Sequence, residues 1–598
     1  MKNKFLLPAV FLLATFSASG CSKAKDKIII RVLNSADYIY EADEEGWYVE
    51  ATDKYVPFES LTYSEEDETY YDENGNEAYY DSDMMAQFVK FMDEKYADQG
   101  LKFDYIYDTF DTPETCYNEL MTGKSNYDVI NVSDYMVQKM MTHDLIQPLF
   151  KVKDDRIEEK SRERIIEEDR ENIGSYVSKF LWEDENSLEE DEESDAIFNN
   201  IHAKLKDYAD DADPYDYNKC LADYSVPYMW GTVGIMYNYS FYDASKEAVD
   251  AAFSSWEVLY NDFAKNSFSI KDSVRDVYAV SILHAFKDEI TALEEQYLNI
   301  EEPDPVSFRN ELTKIFNSCD EKTIARVKED MLKLKDNAFG FEVDSGKTDM
   351  VAGDKIGANL AWSGDAAWAI YEAQTESDVE IAFQVPEEGS NIWFDAWCIP
   401  TVANNPVFAL DFIEFMSEPE QAIANMDYVG YTSATASDEV LEYVYDSYDV
   451  RLEVQAEEEY YPDEEYEEYD IRYFFEDCLE TYDIDDAILH AWTPETEETY
   501  SEKINGEDVD VSYAVQARML KAQFPTVEQL TRLCVMDDYG KNNEKVLDMW
   551  QSVRTNPLPV WAIILFALEG ALLLFAIAYI VSRKAISKKL RQKYSQSH

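Results

Sequence analysis

Two tryptophan–aspartate pairs have the residue types and spacing best suited to binding a cationic group. Trp362 stands three residues before Asp365, and Trp393 stands two residues before Asp395. Each tryptophan follows a strand-like apolar run. An aromatic face attracts a cation and a carboxylate pairs with it, so both pairs are interpreted as binding residues. The alternative is that the two tryptophans belong to the hydrophobic core.

Patterns typical of catalysis or metal binding are missing from the sequence. The five histidines are scattered, and there is no HExxH, CxxC or GxSxG pattern. The two Gly-Lys-Ser/Thr triplets lack the glycine that a P-loop requires, since Phe341 and Asn118 stand at that position. Acidic residues are too frequent for a catalytic carboxylate pair to be recognised. We therefore expect a protein that is not an enzyme and that uses no metal or cofactor.

The composition is strongly acidic. The 598 residues include 52 Lys and Arg against 124 Asp and Glu, which gives a net charge of −72. Nucleic acid is excluded as a partner because phosphates require a basic surface. Hydrophobic residues make up 46% and aromatic residues 14%, which excludes disorder throughout the chain. The charge is compatible with a cationic ligand, and the alternative is an acidity that only keeps the surface soluble.

The N-terminal residues 1–21 are typical of a lipoprotein signal peptide. Lys2 and Lys4 precede the apolar run 5–16, and the small residues before Cys21 resemble a bacterial lipobox. We expect Cys21 to be acylated and to become the first residue of the mature protein. The alternative is ordinary signal cleavage, in which Cys21 has no role.

The C-terminal region predicts a transmembrane helix. Residues 560–581 form 22 nearly unbroken apolar positions, which is long enough to span a bilayer. Residues 582–598 contain six basic residues and no acid, so this tail is predicted to be cytoplasmic and the acidic bulk extracytoplasmic. Glu569, within the span, either contacts a partner membrane helix or is tolerated as a protonated acid.

Strand-like and helix-like runs alternate in the first part of the chain, which predicts an α/β lobe with a mostly parallel sheet. The predicted strands are Ile28–Asn34, Leu101–Tyr107 and Tyr127–Ser133, and the predicted helices are Met84–Tyr96 and Cys116–Met121. A strand at Ser225–Asn238 begins a second α/β lobe, and a strand at Trp393–Pro400 crosses back. Acidic insertions are predicted at about 41–83, as a hairpin or loop, and at about 154–215 and 442–510.

Several segments, in this order, resemble the spermidine/putrescine (polyamine) solute-binding proteins of ABC importers. They are Asn34–Tyr38, Tyr127–Leu149, Ser225–Asn238, the pairs Trp362–Asp365 and Trp393–Asp395, and Val429–Tyr431. The resemblance runs discontinuously from about residue 28 to residue 554, and the acidic insertions lie outside it.

The resemblance implies a two-lobed type II periplasmic-binding-protein fold with a ligand cleft between the lobes. The implied division is lobe one at 28–225, lobe two at 226–394, and a return to lobe one at 395–555. The implied function is capture of an extracytoplasmic polyamine and its delivery to an ABC permease and ATPase. A C-terminal membrane helix is unusual in this family and would hold the receptor beside its permease.

The resemblance also implies the binding residues. They are Asp37, Tyr38, Ser133, Tyr135, Asp276, Trp362, Asp365, Trp393, Asp395 and Tyr431. The four aspartates are the expected ammonium partners, and Tyr38, Trp362, Trp393 and Tyr431 form the expected aromatic box. Ser35 stands where the family has a tryptophan, so Tyr40 is a candidate replacement. Ser273 stands where the family often has an acid, and Asp365 is the candidate compensation.

Two other functions are compatible with the sequence. The carboxylates and tyrosines could bind a metal cation through oxygen, or the cleft could take a cationic vitamin. The aromatic walls argue against a bare ion, which gains little from them. The acidic surface could instead serve a sensor or adhesin that binds a partner protein.

Overall fold

The computed structural model describes most of the chain. The described ranges are 27–52, 54–64, 69–149, 168, 172–181, 221–343, 345–377, 379–450, 466–497, 499–504 and 507–555. No helix within these ranges combines the length and the apolar character needed to cross a membrane. The predicted signal peptide with Cys21, the predicted span 560–581 and the tail 582–598 lie outside the described residues, as does most of the insertion at 154–215.

The strands of the described ranges are numbered in chain order. They are β1 (Ile28–Ser35), β2 (Gly46–Val49), β3 (Lys54–Val56), β4 (Thr62–Ser64), β5 (Thr69–Tyr71), β6 (Glu77–Asp81), β7 (Phe103–Phe110), β8 (Val129–Ser133), β9 (Ser225–Asn238), β10 (Phe268–Lys271), β11 (Gly340–Glu342), β12 (Ala358–Trp362), β13 (Ile381–Gln384), β14 (Ser390–Cys398), β15 (Thr432–Ser433), β16 (Tyr466–Asp470), β17 (Ile488–Trp492), β18 (Thr499–Ile504), β19 (Glu507–Ser512) and β20 (Leu533–Cys534).

The α-helices pack around these strands. They are Met84–Lys95, Pro113–Met121, Asp134–Thr142, Leu221–Tyr224, Lys246–Phe253, Val274–Ala285, Lys287–Tyr297, Pro305–Phe316, Glu321–Asn337, Ser345–Ala352, Ser363–Glu376, Pro406–Ser417, Pro419–Val429, Asp438–Tyr448, Arg472–Phe475, Tyr513–Gln523, Val527–Leu530 and Asn543–Arg554.

One mixed sheet of eleven strands connects the two halves of the fold. Its main order is β11-β10-β12-β9-β14-β8-β1-β7. In addition, β13 and β15 pair with β9, and β20 pairs with β14. The outer strands are parallel, as predicted, because β1 pairs with β7 and β8 in parallel and β10 pairs with β11 and β12 in parallel. The central pairs β12–β9, β9–β14 and β14–β8 are antiparallel. The predicted α/β class is therefore confirmed, although the sheet is mixed at its centre.

Two long central strands run through both halves of the sheet. All fourteen residues of β9 are buried, and the boundaries of this strand agree with the sequence prediction. Its first half pairs with β14, and its second half pairs with β12 and β13. The register between β14 and β9 shifts between Asp395 and Ala396. Such a β-bulge bends a strand and redirects its side chains, here at a predicted binding residue.

The hydrophobic interior forms two large clusters, one around each half of the sheet. Phe88 and Trp397 belong to the first cluster, and Phe268 and Tyr278 belong to the second. Tyr135, Trp362 and Trp393 are partly buried and pack against both clusters. These three predicted site residues therefore lie where the two halves meet.

The insertion at 41–83 contains a small sheet of its own. Its strands β3, β2, β6, β5 and β4 pair in that order, and all their pairings are antiparallel. The predicted Asn74-Gly75 turn lies between β5 and β6, where Gly75 adopts a φ of 88°. The segment is therefore larger than the predicted hairpin or loop, because its aromatic side chains pack on one another. Trp47 and Tyr70, for example, lie 4.4 Å apart between ring centroids.

Candidate ligand-binding site

Three local signals position the predicted site residues on the sheet. The Ser273 side chain caps the helix Val274–Ala285, which places Asp276 in its first turn. Trp362 ends β12 and is the N-cap residue of the helix Ser363–Glu376, so Asp365 lies in that first turn. Asp395 of β14 lies opposite Ser133, the last residue of β8. The site is therefore built from strand ends and helix starts, where α/β sheets bind ligands.

Tyr431 follows a glycine-terminated helix. Gly430 caps the helix Pro419–Val429 with a φ of 76°, a left-handed conformation that favours glycine. The chain then turns into β15, which pairs with β9. This turn carries the Tyr431 ring back over the start of the helix Ser363–Glu376, so that a Cβ atom at Gly364 would overlap the ring.

The aromatic side chains of the predicted box meet edge to face. The Tyr431 ring centroid lies 5.6 Å from that of Tyr38 and 5.5 Å from that of Trp393. Tyr38 also contacts Tyr228 at 5.5 Å. The Trp393 ring packs close to Gly231 of β9, where a Cβ atom would be 3.1 Å from the ring. Three of the four predicted box residues thus form one contiguous cluster.

Asp395 lies at this cluster with one carboxylate oxygen unused. Asp395 Oδ1, the Tyr38 hydroxyl and Trp393 Nε1 are buried and have no hydrogen-bond partner among the described residues. Burial raises the pKa of Asp395 to about 6, the charge on Asp276 adds to this rise, and the nearby hydroxyls of Ser133 and Tyr38 oppose it. Buried polar atoms are seldom left unpaired in a folded protein, so three such atoms at one place make this cluster a candidate binding site.

Two further buried acids surround Asp395. Asp276 accepts a long hydrogen bond from Trp362 Nε1 (3.4 Å), and burial raises its pKa. Asp134 is fully buried with Oδ2 unpaired, and burial raises its pKa well above the usual value. Asp134 is not among the residues predicted from the sequence, although it lies between the predicted residues Ser133 and Tyr135. These three acids make the site strongly favourable for a cation.

Asp365 is already paired with a lysine of the same chain. Lys271 Nζ lies 2.9 Å from Asp365 Oδ2 and 3.3 Å from Glu342 Oε1. It also lies 4.3 Å from the centroid of the Trp362 ring. The Tyr431 hydroxyl donates to Asp365 Oδ1 at 3.0 Å. Lys271 is not among the residues predicted from the sequence, although a lysine that ends the strand-like segment Phe268–Lys271 was an available signal.

Tyr135 faces an arginine rather than the aromatic cluster. The Arg275 guanidinium lies 4.3 Å from the Tyr135 ring centroid and 3.9 Å from that of Tyr539, and it donates to the Asp537 carbonyl. Tyr135 and Arg275 also line a cavity with Glu114 and Asp538. This arrangement connects the start of the helix Asp134–Thr142 to the other half of the fold.

Asp37 and Tyr40 lie apart from the cluster. Asp37 is exposed in a left-handed turn with a φ of 49°, just after β1. The Tyr40 hydroxyl donates to Asp81 Oδ1 at 2.6 Å, and its ring packs on Tyr428. Tyr40 is therefore engaged with the insertion, and the structure does not bring it to the position of the missing aromatic wall.

No group of three or more His, Cys, Asp or Glu side chains within the described residues is arranged to hold a metal ion. The site instead combines carboxylates with aromatic rings. Such an arrangement is suited to an organic cation, whose methylene groups pack on the rings while its ammonium groups pair with the acids.

Comparison with known proteins assigns the family. Residues 84–442 match the family of bacterial extracellular solute-binding proteins, which is more than half of the chain. The chain therefore belongs to the bacterial extracellular solute-binding proteins. This confirms the prediction of a binding protein rather than an enzyme.

The chain is also similar to several known proteins. The chain is 25% identical over 374 residues to the spermidine/putrescine-binding periplasmic protein of Salmonella typhimurium, covering 62% of this chain and 79% of the relative. It is 25% identical over 355 residues to the putrescine-binding periplasmic protein PotF of Escherichia coli K12, covering 59% and 74%. A solved structure described as a putative spermidine/putrescine ABC transporter from Listeria monocytogenes is 17% identical, covers 88% of this chain and 99% of its own, and superposes with a TM-score of 0.46.

Proposed function

We propose that the protein captures an aliphatic polyamine such as putrescine or spermidine and delivers it to an ABC permease with its ATPase. The observation that carries this proposal is the buried Asp395 Oδ1 beside the Tyr38 hydroxyl, neither of which has a hydrogen-bond partner of good geometry among the described residues. Both oxygens accept hydrogen bonds, and a primary ammonium group offers three donors. The adjacent Trp393 and Tyr431 rings supply apolar faces for the methylene chain.

The surrounding charges favour the same ligand class. Asp276 and Asp134 lie buried beside Asp395, in a place where a charged carboxylate without a partner is unfavourable. A bound ammonium group relieves this by pairing with Asp395. The relatives named for spermidine and putrescine agree with this ligand class at low identity. In this proposal Ser133 borders the cleft, whereas Tyr135 and Asp37 lie outside the aromatic cluster.

Calorimetric titration of the full-length protein in detergent with putrescine and spermidine tests the proposal. We expect saturable binding that Asp395→Asn weakens at least 30-fold, because a buried charge-assisted hydrogen bond contributes about 2–3 kcal/mol. Asp93→Asn is the matched control, since Asp93 is a surface aspartate paired with Lys102. A folded wild-type protein that gives no heat with either amine at moderate salt would refute the proposed function.

We further propose that Cys21 carries a lipid and that residues 560–581 span the membrane, with the tail 582–598 in the cytoplasm. Sequence supports this attachment through the small residues before Cys21, the apolar run and the basic tail. Cells expressing Cys21→Ser and a chain ending at residue 555, separately and combined, provide the test. Release of the protein from membranes only in the combined variant is expected, and release of the wild type by high salt would contradict it.

A further inference from the structure

The strand β10 ends in a buried lysine that occupies a site suited to an ammonium ion. Lys271 is 2% exposed, yet its side chain carries a charge into the interior. Its Nζ atom contacts the Asp365 and Glu342 carboxylates and lies over the Trp362 ring. Two carboxylates and an aromatic face are the groups by which a protein recognises a ligand ammonium.

The acids of the site are therefore of two kinds. Asp365 has both oxygens engaged, one by Lys271 and one by the Tyr431 hydroxyl. Asp395 has a buried oxygen without a partner among the described residues, and Asp276 accepts a long bond from Trp362. A ligand ammonium would find Asp395 open, whereas it would have to displace Lys271 to reach Asp365.

Resting on the proposed function, we propose that Lys271 is a specificity-determining residue that fills one ammonium subsite, so that the cleft recognises a single ammonium group of an aliphatic amine, at Asp395. The second ammonium of a diamine then adds little to affinity. The site accepts an amine by the end that pairs with Asp395, beside Asp276, and the Asp365 carboxylate is not available to the other end.

Lys271 is not easily displaced. Burial disfavours its charge, but Asp365 and Glu342 outweigh this effect and raise its pKa, so the ammonium persists at neutral pH. Removing one partner from a buried ion pair leaves an uncompensated charge, which is strongly unfavourable. The side chain is also held over the Trp362 ring.

Two probes with the same four-carbon chain test the proposal with the full-length protein. They are n-butylamine, with one ammonium, and putrescine, with two on the same carbon chain. In the wild type we expect their dissociation constants to agree within about fivefold. In Lys271→Met/Glu342→Gln, which removes one charge of each sign, we expect putrescine to bind at least tenfold tighter than in the wild type, with n-butylamine unchanged. Lys333→Met, at an exposed lysine, is the control.

A second variant provides the test if the double variant does not fold. Asp365→Asn leaves Glu342 to pair with Lys271, and we expect it to change putrescine affinity by less than threefold. Wild-type binding of putrescine more than tenfold tighter than n-butylamine would overturn the proposal, as would a loss in Asp365→Asn as large as that in Asp395→Asn. Absence of binding by both amines to the folded wild type would instead refute the proposed function itself.

Discussion

At the scale of single residues, Asp395 determines how the site responds to protons. Its carboxyl is buried beside Asp276 and Asp134, and its pKa is raised to about 6. A raised pKa means that protonation competes with cation binding in a range where ordinary aspartates are fully ionised. The ammonium group pairs only with the ionised form, so binding favours loss of the proton.

We therefore predict that amine affinity falls as the pH is lowered through 6. At pH 5 about a tenth of Asp395 would be ionised, so the apparent affinity should be about tenfold weaker than at pH 7.5. Titrations at both pH values in buffers of different ionisation enthalpy measure the affinity and the released proton. A flat affinity between pH 5 and pH 7.5 would contradict the assignment of the ammonium to Asp395.

Gly364 provides a steric test of the aromatic cluster. A Cβ atom there would overlap the Tyr431 ring, so we predict that Gly364→Ala displaces Tyr431 and weakens putrescine binding at least tenfold. Gly340→Ala is the matched control, because nothing lies within 4 Å of a Cβ at that position. Fluorescence titration of both variants measures the effect, and equal affinities would show that the position of Tyr431 does not matter for binding.

At the scale of elements, the sequence predicted local structure better than pairing. The strand Ser225–Asn238 was predicted with its observed boundaries, since it is a mostly apolar, strand-like segment. The antiparallel centre of the sheet was not predicted, because the pairing of β9 with β12 and β14 depends on contacts more than 120 residues apart.

The candidate site shows the same limit. Trp393, Asp395 and Tyr431 could be selected from their motifs, and the structure brings them together with Tyr38. The partner of Asp365 could not be selected in this way, because Lys271 lies 94 residues away in sequence. A motif identifies a residue type at a strand end, but it does not identify which charge from another strand faces it.

The elements on the two sides of the fold are connected through Arg275. We predict that Arg275→Met lowers the free energy of unfolding by about 2–4 kcal/mol, because it removes contacts with Tyr135 and Tyr539 and the bond to the Asp537 carbonyl. Arg275→Lys should not retain the wild-type stability, because an ammonium group cannot reproduce the planar stacking of the guanidinium. Urea unfolding provides the measurement.

The control for this prediction is Arg326→Met. Arg326 also combines an aromatic ring, Phe286, with a carboxylate, Glu289, but it is 42% exposed. Its removal should therefore lower the free energy of unfolding by less than about 1 kcal/mol. Equal destabilisation by the two substitutions would contradict a special role for the buried arginine.

At the scale of the whole molecule, the net charge of −72 surrounds the site with a negative potential. Such a potential raises the association rate of a cation, and salt screens it. We predict that the association rate of putrescine falls about tenfold between 20 mM and 500 mM salt, with a smaller change in the dissociation rate. Stopped-flow tryptophan fluorescence measures both rates, and an association rate independent of salt would argue against steering by the acidic surface.

The central claim is that one ammonium group of the ligand pairs with Asp395 inside the aromatic cluster. A crystal structure of the protein with bound putrescine tests it most directly. We expect a ligand nitrogen within about 3 Å of both Asp395 Oδ1 and the Tyr38 hydroxyl. The methylene chain should pack against Trp393, and Lys271 should remain paired with Asp365. Ligand density elsewhere in the molecule, with Asp395 unpaired, would contradict it.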